Sequence, residues 1–550
     1  MMCGRILRHH QVKDRSRFDV TLERWFDWII GRYGVALEWV LDRQPATLVV
    51  AVATLILTIA LYIWIPKGFF PVQDTGMITG ISEASEGISF EAMSTRQQAL
   101  VDAILKDPDV TNVTSSVGID GTNVTLNSGR LDIQLKPRDE RTLDATQIIA
   151  RLQNEVANVS GIELYMQPVQ DLTIDSTVSR NQYQFVLENA DGTQFNSWVP
   201  KLLAKLRTLP ELSDVASDLE QTAPLAMLQI DRATAARFGI TPATVDNALY
   251  DSFGQRIVST IYTQSNQYRV IMEADPTLQT TLDGLNKIYL PTTASSTGEV
   301  PLSAIVSVKM EQGPLEISHY AQFPSTTVSF NLAPGVSLGQ AVDAVKQAEA
   351  SVGLPDSFVV AFQGAAASFQ SSLGNEVFLL LAAVATMYIV LGVLYESFIH
   401  PITILSTLPS ATVGALIALM IAGDDLDVIA IIGIVLLIGI VKKNAIMMID
   451  FALQAERDEG KPPREAIYQA CLLRFRPILM TTMAAILGAL PLMLGSGTGA
   501  ELRRPLGVAI VGGLILSQIL TLFTTPVIYL AFDSIAVRLQ RRSPAERLAE

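Results

Sequence analysis

The sequence predicts a membrane α-helical protein with six transmembrane helices and one large α+β extracytoplasmic domain, built of ferredoxin-like split βαβ subdomains with an inserted subdomain. Three observations point there. Mean hydropathy is +0.33 and only 17% of the 550 residues are charged, against roughly 25% in soluble proteins. Six apolar stretches of about 20 residues are each long enough to cross ~30 Å of hydrocarbon as a helix. Between the first and second of them, residues 67–374 alternate short strand patterns with helical ones.

Residues 1–45 hold eight Lys/Arg and no apolar core of signal-peptide type. Within 14–43, Phe18, Leu22, Trp25, Trp28, Ile29 and Leu41 are interleaved with charge. This pattern suits an interfacial helix on the cytoplasmic leaflet, and equally a helix packed on other protein. The first span, 46–65, ends on the interfacial aromatic Trp64 and is broken by Pro66.

Segment 67–374 contains 19 Lys/Arg and 34 Asp/Glu, and so accounts for all of the chain's net charge of −14. Such an acidic surface argues against nucleic-acid binding, which needs basic patches. Both cysteines, Cys3 and Cys471, lie outside it, which is compatible with a periplasmic location. Strand, helix and strand patterns occur at 77–84, 90–105 and 110–117, and again at 130–135, 145–156 and 162–166. These define one subdomain over 72–175. A second, over 176–232 and 319–370, has its pieces at 182–188, 198–206 and 212–219 and resumes at 326–332, 338–350 and 358–363. The insertion, 233–318, reads as a helix at 242–250, hairpin arms at 256–262 and 267–272, a strand at 287–290 and a turn at 292–299. Nothing in 67–374 has the spacing of a catalytic triad or a zinc site, and its only histidine is His319.

The remaining spans are 377–394, 402–422, 428–451, 478–494 and 506–531, followed by a tail at 532–550. Lys and Arg concentrate in 1–45, in 457–476 and after 531, whereas the loop 423–427 carries Asp424, Asp425 and Asp427 and no base. By the positive-inside rule both termini are cytoplasmic and the large domain is outside. Arg503 and Arg504, on the outer side, break the pattern.

Lys443 lies inside the fourth span, about eight residues or ~12 Å from its cytoplasmic end. Snorkelling covers only part of that distance, and an unpaired charge near mid-membrane costs about 3 kcal/mol. Asp450 shares its helix face, but at a remove of two turns. No other span places a carboxylate at that depth, so the counter-ion is expected from another polypeptide segment. The bland alternative is that Lys442 and Lys443 anchor a tilted helix. Arg474 and Thr481, at the start of the fifth span, offer a second base and a hydroxyl for a polar track. A phosphate loop is missing, since Gly460-Lys461 is followed by proline. Buried titratable groups therefore point to an ion gradient as the energy source.

Four runs carry a resemblance: Pro66-Lys-Gly-Phe-Phe-Pro-Val-Gln-Asp74, Leu394-Tyr-Glu-Ser-Phe-Ile-His-Pro401, Gly439-Ile-Val-Lys-Lys-Asn-Ala-Ile446 and Arg474-Phe-Arg-Pro-Ile-Leu-Met-Thr-Thr482. Over nearly the whole chain the sequence resembles the drug-efflux branch of the resistance-nodulation-division superfamily. Met1-Met-Cys-Gly, Asp171-Leu-Thr-Ile-Asp175 and Ala500-Glu-Leu-Arg-Arg-Pro505 look closest to its MdtB type of subunit. The resemblance implies a twelve-span transporter in two homologous halves, of which this chain matches the second, in the inner membrane of a Gram-negative cell. The first half would supply a pair of proton-binding aspartates. Lys443 matches the lysine that salt-bridges them; Asn444, Arg474 and Thr481 accompany it in the relay. The two sandwiches would be porter subdomains flanking a substrate cleft, with Val117, Thr122, Val124 and Ile133 as candidate lining, and the insertion a docking subdomain. Implied partners are the N-terminal half, further subunits of a trimer that could include a paralogue, a periplasmic adaptor, an outer-membrane channel and the lipid bilayer. No cofactor, metal or nucleic acid is implied. The family's phenylalanine-rich loop is not matched: 117–126 has no aromatic residue, which suggests bile-salt-like amphiphiles rather than a broad drug range. The expected function is thus proton/drug antiport by a secondary transporter, not an enzyme. The alternatives are a membrane-anchored export or assembly factor of the same superfamily, and a non-functional fragment.

Overall fold

The computed structural model describes residues 17–119, 125–174, 179–219, 222–279, 281–292 and 298–541. The chain divides into two compact units. One comprises Met1–Ala84, Phe90–Leu219 and Ser318–Glu550; the other comprises Ser85–Ser89 and Glu220–Ile317.

The larger unit begins with α1 (Arg17–Asp42) and α2 (Gln44–Trp64). The amphipathic pattern of α1 resolves into two faces. Tyr33, Leu37 and Leu41 are buried, the Tyr33 hydroxyl donates to the Leu522 carbonyl at 2.9 Å, and its ring stacks on Phe475; Trp25, Trp28 and Trp39 stay more than half exposed. The helix therefore packs on protein along one side and presents three tryptophans on the other.

A first antiparallel sheet contains β1 (Met77–Ala84), β2 (Val110–Val117), β3 (Ser128–Leu135) and β4 (Ile162–Pro168) in the order β2-β3-β1-β4. Helix α3 (Phe90–Ile104) joins β1 to β2, and α4 (Ala145–Val156) joins β3 to β4. The α4 apolar positions, Ala145, Ile148, Ile149, Leu152 and Val156, recur with helical period and are buried. A capping box formed by Asp144 and Gln147 starts the helix. The second sheet contains β5 (Tyr183–Glu188), β6 (Leu212–Ser217), β7 (Ser318–Tyr320), β8 (Phe323–Leu332) and β9 (Val359–Phe362). Its order is β7-β8-β5-β9, with β6 also pairing to β8. Helix α5 (Phe195–Leu206) joins β5 to β6, and α6 (Leu338–Val352), with its own capping box from Ser337 and Gln340, joins β8 to β9. Phe185, Phe330, Val199, Leu202, Leu338 and Val345 form its core.

The membrane helices follow as α7 (Gly364–Tyr395), α8 (His400–Leu405), α9 (Leu408–Ala422), α10 (Val428–Glu459), α11 (Pro463–Leu494) and α12 (Ala500–Arg541). Among the described residues, five helices are long and apolar enough to cross a membrane: Gln44–Trp64, His400–Ala422, Val428–Glu459, Pro463–Leu494 and Ala500–Ser534. The expected span 377–394 falls on α7, whose described apolar run, Leu381–Tyr395, is shorter. The expected span 402–422 is divided at Ser406–Thr407, because Pro409 in the first turn of α9 has no N–H to continue the ladder. Helices α9 and α12 meet almost backbone to backbone. A Cβ on Gly512 would lie 2.1 Å from that of Ala418, and one on Gly414 would lie 2.8 Å from the Gly512 carbonyl oxygen. Small residues at the contact are what close helix packing in lipid requires.

The second unit starts at Glu220, ahead of the expected 233, because strand Ala223–Ile230 pairs antiparallel with Val306–Gly313. Ala235, Ile240, Val245, Leu290 and Val300 form its core. The hairpin Arg256–Tyr262/Gln267–Met272 is present as expected and leaves Ile257, Val258, Ile261, Tyr262, Tyr268 and Ile271 exposed. Most of the expected turn at 292–299 lies outside the described residues.

In the larger unit, Asp74 anchors the linker that follows α2. Its carboxylate accepts two bonds from Arg141, at 2.7 and 2.5 Å, and one each from the N–H groups of Ala145 and Gly76, at 3.0 and 3.2 Å. Burial pushes the Asp74 pKa upward, but the Arg141 hydrogen bonds and charge outweigh it and hold the group below the ordinary range. Asp74→Ala leaves a buried guanidinium unpaired, so a loss of about 3–5 kcal/mol is expected in thermal unfolding of detergent-solubilised protein. A depressed folded pKa contributes fully above the unfolded value near 4 and is lost as pH falls through the folded one. The wild type should therefore lose its advantage over the variant only in strong acid.

Candidate functional site

The buried stripe of α10 runs through Ala430, Ile434, Leu437, Val441, Asn444, Ala445 and Met448. Successive helical residues point about 100° apart, so burying Asn444 turns Lys443 outward. Lys443 is exposed on a stripe with Ile432, Leu436, Gly439 and Asp450. A Cβ on Gly439, one turn before the lysine, would meet nothing within 4 Å. Among the described residues no ion pair or hydrogen bond reaches the Lys443 ammonium. Asp450 accepts from the Tyr395 hydroxyl at 2.5 Å, and Lys442 Nζ lies 3.2 Å from Met387 Sδ.

The other predicted polar groups separate into three environments. Arg474 lays its guanidinium 3.4 Å from the ring centroid of Phe451, a cation–π contact, and its buried Nε has no hydrogen-bond acceptor among the described residues. The Thr481 hydroxyl donates to the carbonyl of Ile478 in its own helix at 3.1 Å. Asn444 instead joins a buried chain: its Nδ2 donates to Thr482 Oγ1 at 3.3 Å, and that hydroxyl donates to Gln518 Oε1 at 2.6 Å. Hence Asn444 is brought to Thr482 rather than Thr481, and neither Lys443 nor Arg474 touches the chain. Sequence reasoning missed Phe451, Thr482 and Gln518. An available signal was the amide of Gln518 inside the apolar stretch 506–531.

At the ends of the helices nearest the sheets, the linker after α2 pairs with the loop entering α10. Leu426 N donates to the Pro66 carbonyl at 2.9 Å, Gly68 N to Leu426 at 3.3 Å and Val428 N to Phe69 at 3.1 Å. Phe69 belongs to the core of the second sheet. Gly68 packs tightly there, since a Cβ would lie 3.0 Å from Asp425 Oδ2 and the Asp425 side chain would have to give way. Arg504, the exception to the charge rule, is accounted for here: its Nη2 donates to the Ala422 carbonyl at 2.9 Å and its Nε lies 3.6 Å from Asp424 Oδ2. A cavity of about 1320 Å³ opens beside these groups, lined in part by Arg138, Asp424, Asp425, Asp427, Glu501 and Arg504. Asp427 caps α10, accepting from Ala430 N at 2.6 Å. Burial pushes its pKa up to about 7; the Ala430 N–H works against this, and Asp424 and Asp425 add to it.

Of the expected cleft residues, Val117 is half-buried in the β2–β3 pair. Ile133 is fully buried in the first sheet, where it pairs with Ile78 and Val113; it supports the sheet and offers no surface to a ligand. Thr122 and Val124 lie outside the described residues. A separate cavity of about 350 Å³ is lined by Phe69, Phe70, Gln73, Arg130, Leu172 and Tyr183, among others.

The model of the AcrB/AcrD/AcrF family matches residues 1–533. Two solved structures, crystal forms I and II of a protein titled a heavy metal efflux pump, are similar to this chain with TM-scores of 0.81 and 0.80 at 25% and 24% identity. Each match covers 92% of this chain and 52% or 53% of the other, so the chain spans about half the length of those structures.

The raised pKa of Asp427 has a testable sign. Between about pH 4 and about 7 the folded form holds a proton that the unfolded form has lost, so local stability falls as pH rises through that window. Hydrogen exchange at 424–430, corrected for intrinsic rate, should speed up from pH 5 to pH 8. Asp427→Asn, which can still cap the helix, should remove the dependence.

Proposed function

This chain belongs to the AcrB/AcrD/AcrF family of resistance-nodulation-division transporters, and we propose that it is the C-terminal half of a proton-driven exporter of amphiphiles. The observation that carries the reading is the ammonium of Lys443, exposed at mid-span without a partner among the described residues. An uncompensated charge there costs about 3 kcal/mol. The Gly439 gap beside it leaves room for a helix bearing carboxylates. Protonation of those carboxylates would release Lys443 and bias the helix packing between access states. Asn444, Arg474 and Thr481 are proposed as the rest of the relay.

The β1–α3–β2–β3–α4–β4 order supports a ferredoxin-like porter subdomain over 72–175, with its companion over 176–232 and 319–370. Docking to an outer-membrane channel through an adaptor is proposed for the inserted unit, whose hairpin presents exposed Ile and Tyr residues. The six-span topology with both termini in the cytoplasm, a place in the inner membrane, the MdtB type of subunit, and a trimer that could mix two kinds of subunit belong to the same proposal. Phe69, Phe70, Leu172 and Tyr183 around the smaller cavity favour an amphiphilic cargo. The similar solved structures, titled as metal pumps, make metal ions the alternative.

Proteoliposomes of the complete transporter under an imposed proton gradient test this directly, with deoxycholate and zinc(II) as probes. Deoxycholate export is expected; zinc export alone would transfer the assignment to metal ions. Lys443→Ala should abolish gradient-driven export with membrane level and assembly unchanged, and full export by that variant refutes the coupling role.

A further inference from the structure

We infer that Gln518 is a positioning residue that sets the rotation of α10, and with it the direction of Lys443, through Thr482 and Asn444. The inference rests on the reading of Lys443 as the energy-coupling cation.

Asn444 is the only polar side chain among the buried residues of α10. Every other buried position is Ala, Gly, Val, Leu, Ile or Met, and such a surface permits small rotations or slips with little penalty. A single buried amide in an apolar seam is the feature that fixes register between packed helices. Asn444, Thr482 and Gln518 are 4%, 1% and 8% exposed and come from three helices, α10, α11 and α12. The Thr482 hydroxyl has one hydrogen to donate and gives it to Gln518 Oε1 at 2.6 Å, leaving its lone pairs to receive Asn444 Nδ2 at 3.3 Å. Gln518 thus orients the hydroxyl, and the oriented hydroxyl holds Asn444. Since Lys443 directly precedes Asn444, the same bond holds Lys443 about 100° away, on the outward stripe.

Removing the Gln518 amide should spare folding. Its Nε2 is buried with no acceptor among the described residues, so Gln518→Leu removes that donor along with the useful carbonyl. Thr482 can then turn its hydrogen to the carbonyl of Leu479, three residues back in the same helix. That fallback frees Asn444 from a defined partner geometry, and α10 loses its rotational mark while the apolar packing remains.

The test uses the complete transporter in proteoliposomes and measures the pH profile of gradient-driven export, with deoxycholate as probe, or zinc(II) if that is the cargo found above. One interhelical hydrogen bond in a membrane protein is worth roughly three- to fifteenfold. Gln518→Leu and Thr482→Val should each lower export by that factor and shift the pH of half-maximal activity. Thr482→Ser, which keeps the hydroxyl, should restore the wild-type profile. If Gln518→Leu does not assemble, the Thr482→Val and Thr482→Ser pair decides. An unchanged profile in Gln518→Leu, or in Thr482→Val, beside an inactive Lys443→Ala overturns the positioning role and leaves the coupling reading intact. Normal export by Lys443→Ala overturns both.

Discussion

Three backbone hydrogen bonds tie the strand leaving the first membrane helix to the residues entering α10. The organisation of the larger unit follows from this short ladder. Pro66 and Gly68 sit on one side of it and Leu426 on the other, while Val428, the first residue of α10, bonds to Phe69. The Phe69 ring is part of the second sheet's core. Five residues further on, the Asp74 carboxylate locks the same linker to Arg141 and to the start of α4. The backbone of Lys67 also receives the N–H of Gly339 in α6. The helix that carries Lys443 is thereby joined, through one stretch of linker, to both sheets. The ladder and the Gly339–Lys67 bond are main-chain contacts that substitution of side chains cannot easily dissolve, whereas the Asp74 lock depends on its carboxylate.

Much of this fold is legible in the sequence where the signal is local. An apolar run long enough to span a bilayer needs no partner to be recognised, and the capping boxes at Asp144 and Ser337 lie within four residues of themselves. The hairpin 256–272 is similarly self-contained. What escaped is long-range. Strand Ala223–Ile230 has no counterpart among the strands that the sequence predicts, because its partner, Val306–Gly313, is some eighty residues away. Of the two arginines that break the charge rule, Arg504 makes sense only once it is seen against Asp424 and the Ala422 carbonyl. Apolar length also understates the helices, since α10 continues to Glu459 and α11 starts at Pro463, well past the expected spans 428–451 and 478–494.

The candidate site shows the same division at finer scale. A lysine in an apolar run is conspicuous, and its need for a counter-ion follows from elementary electrostatics. Which of two neighbouring residues turns inward depends on helix phase and on what the adjacent helices offer. Asn444 is buried and Lys443 is not. Thr482 enters the chain and Thr481 satisfies itself within its own helix. Arg474 finds the face of Phe451, a residue distant in sequence whose aromatic character carries no positional signal by itself.

The contact of Gly512 with Ala418 and of Gly414 with the Gly512 carbonyl leaves no layer of side chains between α9 and α12 that could shear. Two rods touching at that distance must travel as a single rigid plank. Any rocking of the membrane region therefore has its moving seam elsewhere, and the outward stripe of α10, with an open notch at Gly439, is the edge along which such a plank could slide against a neighbour.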